Sequence, residues 1–131
     1  MQANYLFVYG SLRRTCSHHH LLHQHCRYIG MASVRGLLFQ VAKYPGLVLT
    51  GDAPSRVIGE LYQVLDPSVW AALDDYECCS ERFSEPHEFI RQISEVTLDY
   101  GDEMKAWVYV YNFSHEDLPV IVSGDFVSSV E

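Results

Sequence analysis

Long apolar runs are missing from this 131-residue chain, and with them any stretch able to cross a bilayer as a helix, which takes ~20 apolar residues. Positive charge is scarce. Nine Lys and Arg stand against 17 Asp and Glu, a formal charge of -8, which argues against nucleic acid or an anionic membrane as the main partner. Cysteine is too sparse for a disulfide scaffold: there are four, and Cys78 and Cys79 are adjacent, a spacing that strains an ordinary bridge. The thiols are expected to be reduced. Met1-Gln2-Ala3-Asn4 supplies no basic stretch ahead of the first apolar run, so a signal peptide is not expected and the cytoplasm is the default. Repeats, linkers and low-complexity tails are absent as well.

What is present is the mix of a globular protein, 48% hydrophobic and 20% charged, of a length that suits one domain over residues 1–131. Tyr5 to Tyr9 is aromatic and branched and stops at Gly10, which predicts a buried first strand. Ser17 is placed to cap a short helix from His18 to Cys26, with Leu21 and Leu22 inward. Strands are expected over 29–41 and 47–50, separated by Lys43-Tyr44-Pro45-Gly46, whose Pro-Gly pair suits a type II turn. Another is expected over 57–64. Asp66-Pro67 then gives a helix start, and Val69, Trp70, Leu73 and Tyr76 form one apolar face, with Asp74 and Asp75 looking outward. Strands follow over 87–99 and 105–112, the latter with Trp107, Tyr109 and Tyr111 on one face and Val108 and Val110 on the other. A short one is expected over 120–122. Many strands, two short helices and no regular βαβ alternation predict an α+β domain on a mixed or curled sheet.

Two places stand out chemically. Tyr9-Gly10-Ser11-Leu12 ends the first strand, and a strand that breaks at glycine aims backbone N–H groups outward as an anion cradle. Arg13 and Arg14 follow it and could face a small anion. The same residues suit a plain turn in which glycine supplies an unusual φ and serine caps. Glu77 falls at or just past the end of the second helix, where it is either a general base or a solvated helix-end carboxylate. The histidine-rich stretch from Cys16 to Cys26 places His19, His23 and Cys26 on one helical face, a set that could ligate zinc. It lacks the company of Cys-x-x-Cys or His-Glu-x-x-His, so no metal is expected. Cys78 and Cys79 have no identifiable paired base. Glu60 reads as a strand residue facing a polar partner or as a second pocket carboxylate, and Trp70 and Trp107 as core.

Tyr9-Gly10-Ser11-Leu12, Gly59-Glu60-Leu61-Tyr62, Leu73-Asp74-Asp75-Tyr76-Glu77 and Phe89-Ile90-Arg91, in that order, resemble the gamma-glutamylcyclotransferase-like family. The Trp-Val-Tyr-Val-Tyr strand adds to the likeness, and Ser123-Gly124-Asp125-Phe126 is similar to the tail of its small bacterial members. The resemblance implies a compact mixed β-barrel with flanking short helices. It also implies a cofactor-independent enzyme that releases 5-oxoproline from a small gamma-glutamyl substrate, the substrate's own α-amine attacking its γ-carbonyl. Glu77 would be the general acid and base. Tyr9, Gly10, Ser11 and Leu12 would hold the substrate carboxylate or the oxyanion, with Phe89 and Tyr111 lining the pocket.

Two departures bear on that expectation. Cys78 stands where many relatives have glycine, and Phe89 where they have tyrosine, so a phenol hydroxyl is missing that Tyr111 could replace. The rival from another class is a catalytically silent module that binds a small carboxylate or phosphate in the same cradle. Neither reading fixes an oligomeric state.

Overall fold

The structure, a computed structural model, describes residues 4–10, 12–13, 19–22, 24–50, 55–77 and 84–126. Its strands are β1 (Tyr5–Val8), β2 (Cys26–Gln40), β3 (Pro45–Leu49), β4 (Arg56–Val64), β5 (Phe89–Leu98) and β6 (Glu103–Tyr111), with one α-helix, α1 (Val69–Tyr76). Hydrogen bonding runs β3-β2-β4-β1-β6-β5, and β5 returns to β2 through Ala32 and Ser33. Five strands thereby close a barrel, and β3 extends β2 outside the closure. Every pairing is antiparallel except β1 with β6. Closure leaves no edge between β1 and its neighbours, and Leu6, Phe7 and Val8 of β1 are buried.

The period of two sorts the strands between two apolar layers. Phe7, Val34, Leu61, Val108 and Val110 meet inside the barrel. Leu6, Val8, Tyr62 and Tyr109 turn the other way and meet Val69 and Leu73 of α1. The division expected for β6 therefore holds, with Tyr109, Trp107 and Tyr111 toward the helix layer.

Three local expectations are corrected. Among the described residues of the segment read as a helix from His18 to Cys26 there is only a single 3-10 turn, His19–Leu21, and Cys26 already begins β2. Consecutive histidines supply no apolar face to hold a longer helix, and Gln24 takes a left-handed φ of 73° that ends one. Pro45 and Gly46 belong to β3 rather than to the turn, which lies at 41–44, where the Val41 and Ala42 amides both reach the Tyr44 carbonyl. Near residue 120 there is only an isolated bridge, Val120 to Phe39. Among the described residues no helix is long and apolar enough to cross a membrane.

Candidate active site

At the C-terminal end of β1 the chain turns: the Arg13 amide donates to the Gly10 carbonyl (3.1 Å), and Leu12 is buried in the helix layer. Gly10 owes its identity to crowding rather than to an unusual φ, because a Cβ there would sit 3.0 Å from Pro45 Cγ and 3.1 Å from Cδ. The hydrogen bond consumes the Arg13 amide, so Arg13 has no backbone donor left to offer an anion; Ser11 lies outside the described residues.

Beside this turn lies a cavity of about 280 Å³. Phe7, Val8, Tyr9, Gly10 and Leu12 form one side, the end of α1 supplies Tyr76 and Glu77, and Tyr44, Pro45, Glu88, Phe89 and Tyr109 close the rest. The cavity thus brings together five residues named from sequence: Tyr9, Gly10, Leu12, Glu77 and Phe89. Tyr111 is not among its lining and packs edge-on behind Phe89, centroids 5.5 Å apart. Three residues that sequence reasoning passed over join the lining as polar groups: Tyr44, Glu88 and Tyr109. Glu88 directly precedes Phe89 in the motif that carried the resemblance, which was the signal available.

Glu77 caps the C-terminus of α1, its amide bonded to the Leu73 carbonyl (2.9 Å). An eight-residue helix anchored by Val69 and Leu73 fixes where that carboxylate projects. Burial first, then the negative charges of Glu88 and Asp74, push the Glu77 carboxyl up to about 8. Tyr9 is pinned from both sides: its hydroxyl donates to the Tyr109 carbonyl (2.6 Å) and accepts from the Leu47 amide (3.2 Å). Burial, with the charge of Glu77 second, holds this phenol well above its ordinary range despite the Leu47 hydrogen bond, so it stays neutral. Glu88 accepts a short hydrogen bond from the Tyr44 hydroxyl. Two phenol rings flank Phe89, Tyr111 at 5.5 Å and Tyr44 at 6.0 Å between centroids, but of the two only Tyr44 lines the cavity.

Three sequence expectations are corrected around this cavity. Asp74 does not look outward: it accepts from Arg91 Nε (3.0 Å) and Nη2 (3.1 Å) and from the Tyr109 hydroxyl (2.6 Å). Trp70 and Trp107 are only half-buried and take the Arg91 guanidinium between them, at 4.4 and 4.8 Å from their ring centroids, a desolvating cation–π arrangement. Arg13 is buried and points away from the cavity, toward Asp125 and Glu60. Of the two readings of Glu60 the first holds: it is a strand residue facing polar partners, Arg13 and Tyr62, and it does not line the cavity. Arg14, Cys78, Cys79, His18 and His23 lie outside the described residues. Among the described residues no three His, Cys, Asp or Glu side chains gather as metal ligands, and His19 instead hydrogen-bonds the Leu12 carbonyl through Nδ1 (2.9 Å).

Residues 6–128 match the family described as gamma-glutamyl cyclotransferase, AIG2-like. The gamma-glutamylcyclotransferase family protein YtfP of Escherichia coli is 31% identical over 123 residues, covering 93% of this chain and 95% of that one. A gamma-glutamylaminecyclotransferase of Mus musculus is 30% identical over 117 residues, covering 80% and 76%. The crystal structure of an AIG2-like protein from Mus musculus superposes with a TM-score of 0.73 at 26% identity, covering 91% of this chain and 86% of that one.

Proposed function

The chain belongs to the gamma-glutamyl cyclotransferase, AIG2-like family, and on that premise we propose that it releases 5-oxoproline from a small gamma-glutamyl amine or amino acid. The observation that carries this reading is a carboxyl near pKa 8, Glu77, sharing one cavity with the Gly10 to Leu12 turn. A group with that pKa can take a proton and give it back at neutral pH, which is what a cyclisation without external nucleophile requires.

The steps balance within the substrate. Glu77 removes a proton from the α-ammonium, and the freed amine attacks the γ-carbonyl, forming the ring C–N bond and an oxyanion. The turn that brings Gly10 and Leu12 to the cavity would receive that oxyanion or the substrate carboxylate. As the tetrahedral centre collapses, the bond to the attached amine breaks, Glu77 returns its proton to that departing nitrogen, and the ring nitrogen releases its second proton to solvent, leaving the neutral lactam. The products are 5-oxoproline and the free amine, and nothing in this sequence calls for a cofactor. Because both reacting groups belong to one molecule, the main task of the cavity is to hold them in near-attack geometry, and Tyr9, locked at its hydroxyl, gives that cavity a rigid wall.

Glu88 bears on which amine leaves. A second carboxylate in the lining repels a leaving group that carries its own carboxylate, so an amine is favoured over an amino acid. The test is a panel of gamma-glutamyl amines and dipeptides assayed for 5-oxoproline with wild-type protein and Glu77→Gln. Release by the wild type and its loss in the variant is expected. Equal rates in the two would overturn the role of Glu77, and binding without release in both would favour a silent carboxylate-binding module.

A further inference from the structure

A cation and an anion are buried just behind the cradle, and the chemistry proposed above uses neither. Arg13, the residue that closes the turn, is 5% exposed, and Glu60 is 4% exposed. Arg13 Nη1 donates to Asp125 Oδ1 at 2.7 Å, and its Nε lies 3.5 Å from Glu60 Oε2, itself braced by the Tyr62 hydroxyl on Oε1 at 2.8 Å. Glu60 pairs in register with Val8, the last residue of β1, so the guanidinium ties the turn both to the neighbouring strand and to a residue 112 positions away.

Asp125 is brought there by a strap. The Ile121 amide donates to the Leu38 carbonyl (2.7 Å), and the Ile58 amide donates to the Gly124 carbonyl (2.7 Å), lashing the segment across β2 and β4. Gly124 sits at φ +71°, and a Cβ there would lie 2.2 Å from the Arg56 carbonyl oxygen, so the strap runs this close only with glycine. Ile121 and Phe126 are buried in the barrel core on either side. The Ser123-Gly124-Asp125-Phe126 motif therefore has a physical reading: a bend, a close approach, an anion and an anchor.

We infer that Asp125 is a positioning residue for the cyclisation: by holding Arg13, whose amide closes onto the Gly10 carbonyl, it fixes the turn at Gly10 and Leu12 against the cavity. It rests on the cyclotransferase reading. Asp125 does not line the cavity and touches no reacting atom; its effect passes through the guanidinium to the turn that Arg13 closes. A loose hydrogen-bonding turn would still bind an anion, but it would no longer hold the amine and carbonyl in reacting alignment.

The experiment is steady-state kinetics of Asp125→Asn, which keeps shape and removes charge, alongside Arg13→Lys, the double variant and Gly124→Ala, with thermal melting of each. Misplacement on the scale of 1 Å costs about a hundredfold in rate, so a loss in kcat/KM of roughly ten- to hundredfold is expected for Asp125→Asn. Gly124→Ala should lose activity in the same direction without altering any charge. The double variant should lose little more than the worse single one, because the two residues act as a unit. A strap that merely stabilises the fold would lower the melting temperature and leave kcat and KM of the folded protein at wild-type values; that result, or single losses that simply multiply in the double variant, overturns the inference. An active wild type with unchanged Asp125→Asn kinetics sinks this inference alone. A wild type that releases no 5-oxoproline sinks the proposed function and this inference together.

Discussion

Two glutamates sit at the two ends of this molecule's electrostatics. Glu60 is buried among an arginine and a phenol, each aimed at its carboxylate. Glu77 is enclosed with two further carboxylates, Glu88 and Asp74, as the charges that bear on it. Both carboxylates leave bulk water, yet one is matched by opposite charge and the other is opposed by like charge. Burial comes first in raising the Glu77 carboxyl and like charge adds to it, whereas Glu60 is buried against a cation and a phenol; those surroundings separate a candidate proton carrier from a structural tie.

The largest effect expected from breaking this contrast is at Glu77. Glu77→Gln should lower 5-oxoproline release by ~10²–10⁴, the usual worth of general acid–base help, as read by initial rates. The matched site should fail differently. Arg13→Leu leaves Glu60 buried without its cation and should cost about 3–5 kcal/mol of stability in urea unfolding. A more gradual effect is predicted for stability against pH. The Glu77 carboxyl is raised in the folded state, so its favourable contribution is complete below the ordinary value of 4.5 and is lost as pH rises through about 8. Wild-type stability should thus decline across that window by at most about 1.4 kcal/mol per pH unit from this group, and Glu77→Gln should flatten the decline. The smallest effect is at Glu88. Since Glu77 must be ionised to act as base, the rate should fall as pH drops below about 8. Glu88→Gln removes one opposing charge and should move that acid limb to lower pH by ~1 unit or less. The same variant should narrow the preference for amine over amino-acid leaving groups, measured as a ratio of kcat/KM.

Much of this arrangement was legible in the sequence where local pattern and tertiary demand agree. The alternation of Trp107 to Tyr111 gave both faces of β6, and the Val69–Leu73 spacing gave the helix that ends at Glu77, because periodicity reports directly on which side meets the core. What escaped was set by partners distant in the chain. Nothing near Asp74 signals that Arg91 and Tyr109 will claim it, and nothing beside Arg13 signals Asp125. Arg13 was expected to face an anion from outside and instead meets carboxylates of its own chain. Gly10 was explained by turn geometry, whereas the space it leaves is occupied by Pro45 from another strand. Glu88 and Tyr44 have no period that marks them, since both come from irregular segments that only closure of the barrel brings face to face.

The parallel contact of β1 with β6 joins the first strand of the chain to its last, and the Tyr9 hydroxyl bonds the Tyr109 carbonyl across 100 residues of intervening sequence. During synthesis the cradle is therefore made early and kept waiting: β1 has one neighbour, β4, until β6 emerges to seal the other side. Pairing at such long range places this barrel among the slow, high-contact-order folders, in the millisecond-to-second range rather than microseconds. The same seam makes activity a report on completion. A nascent or truncated chain lacking β6 has no Tyr109 to lock Tyr9, and the cavity that holds the Glu77 carboxyl gains its Tyr109 wall only once β6 has been laid in place.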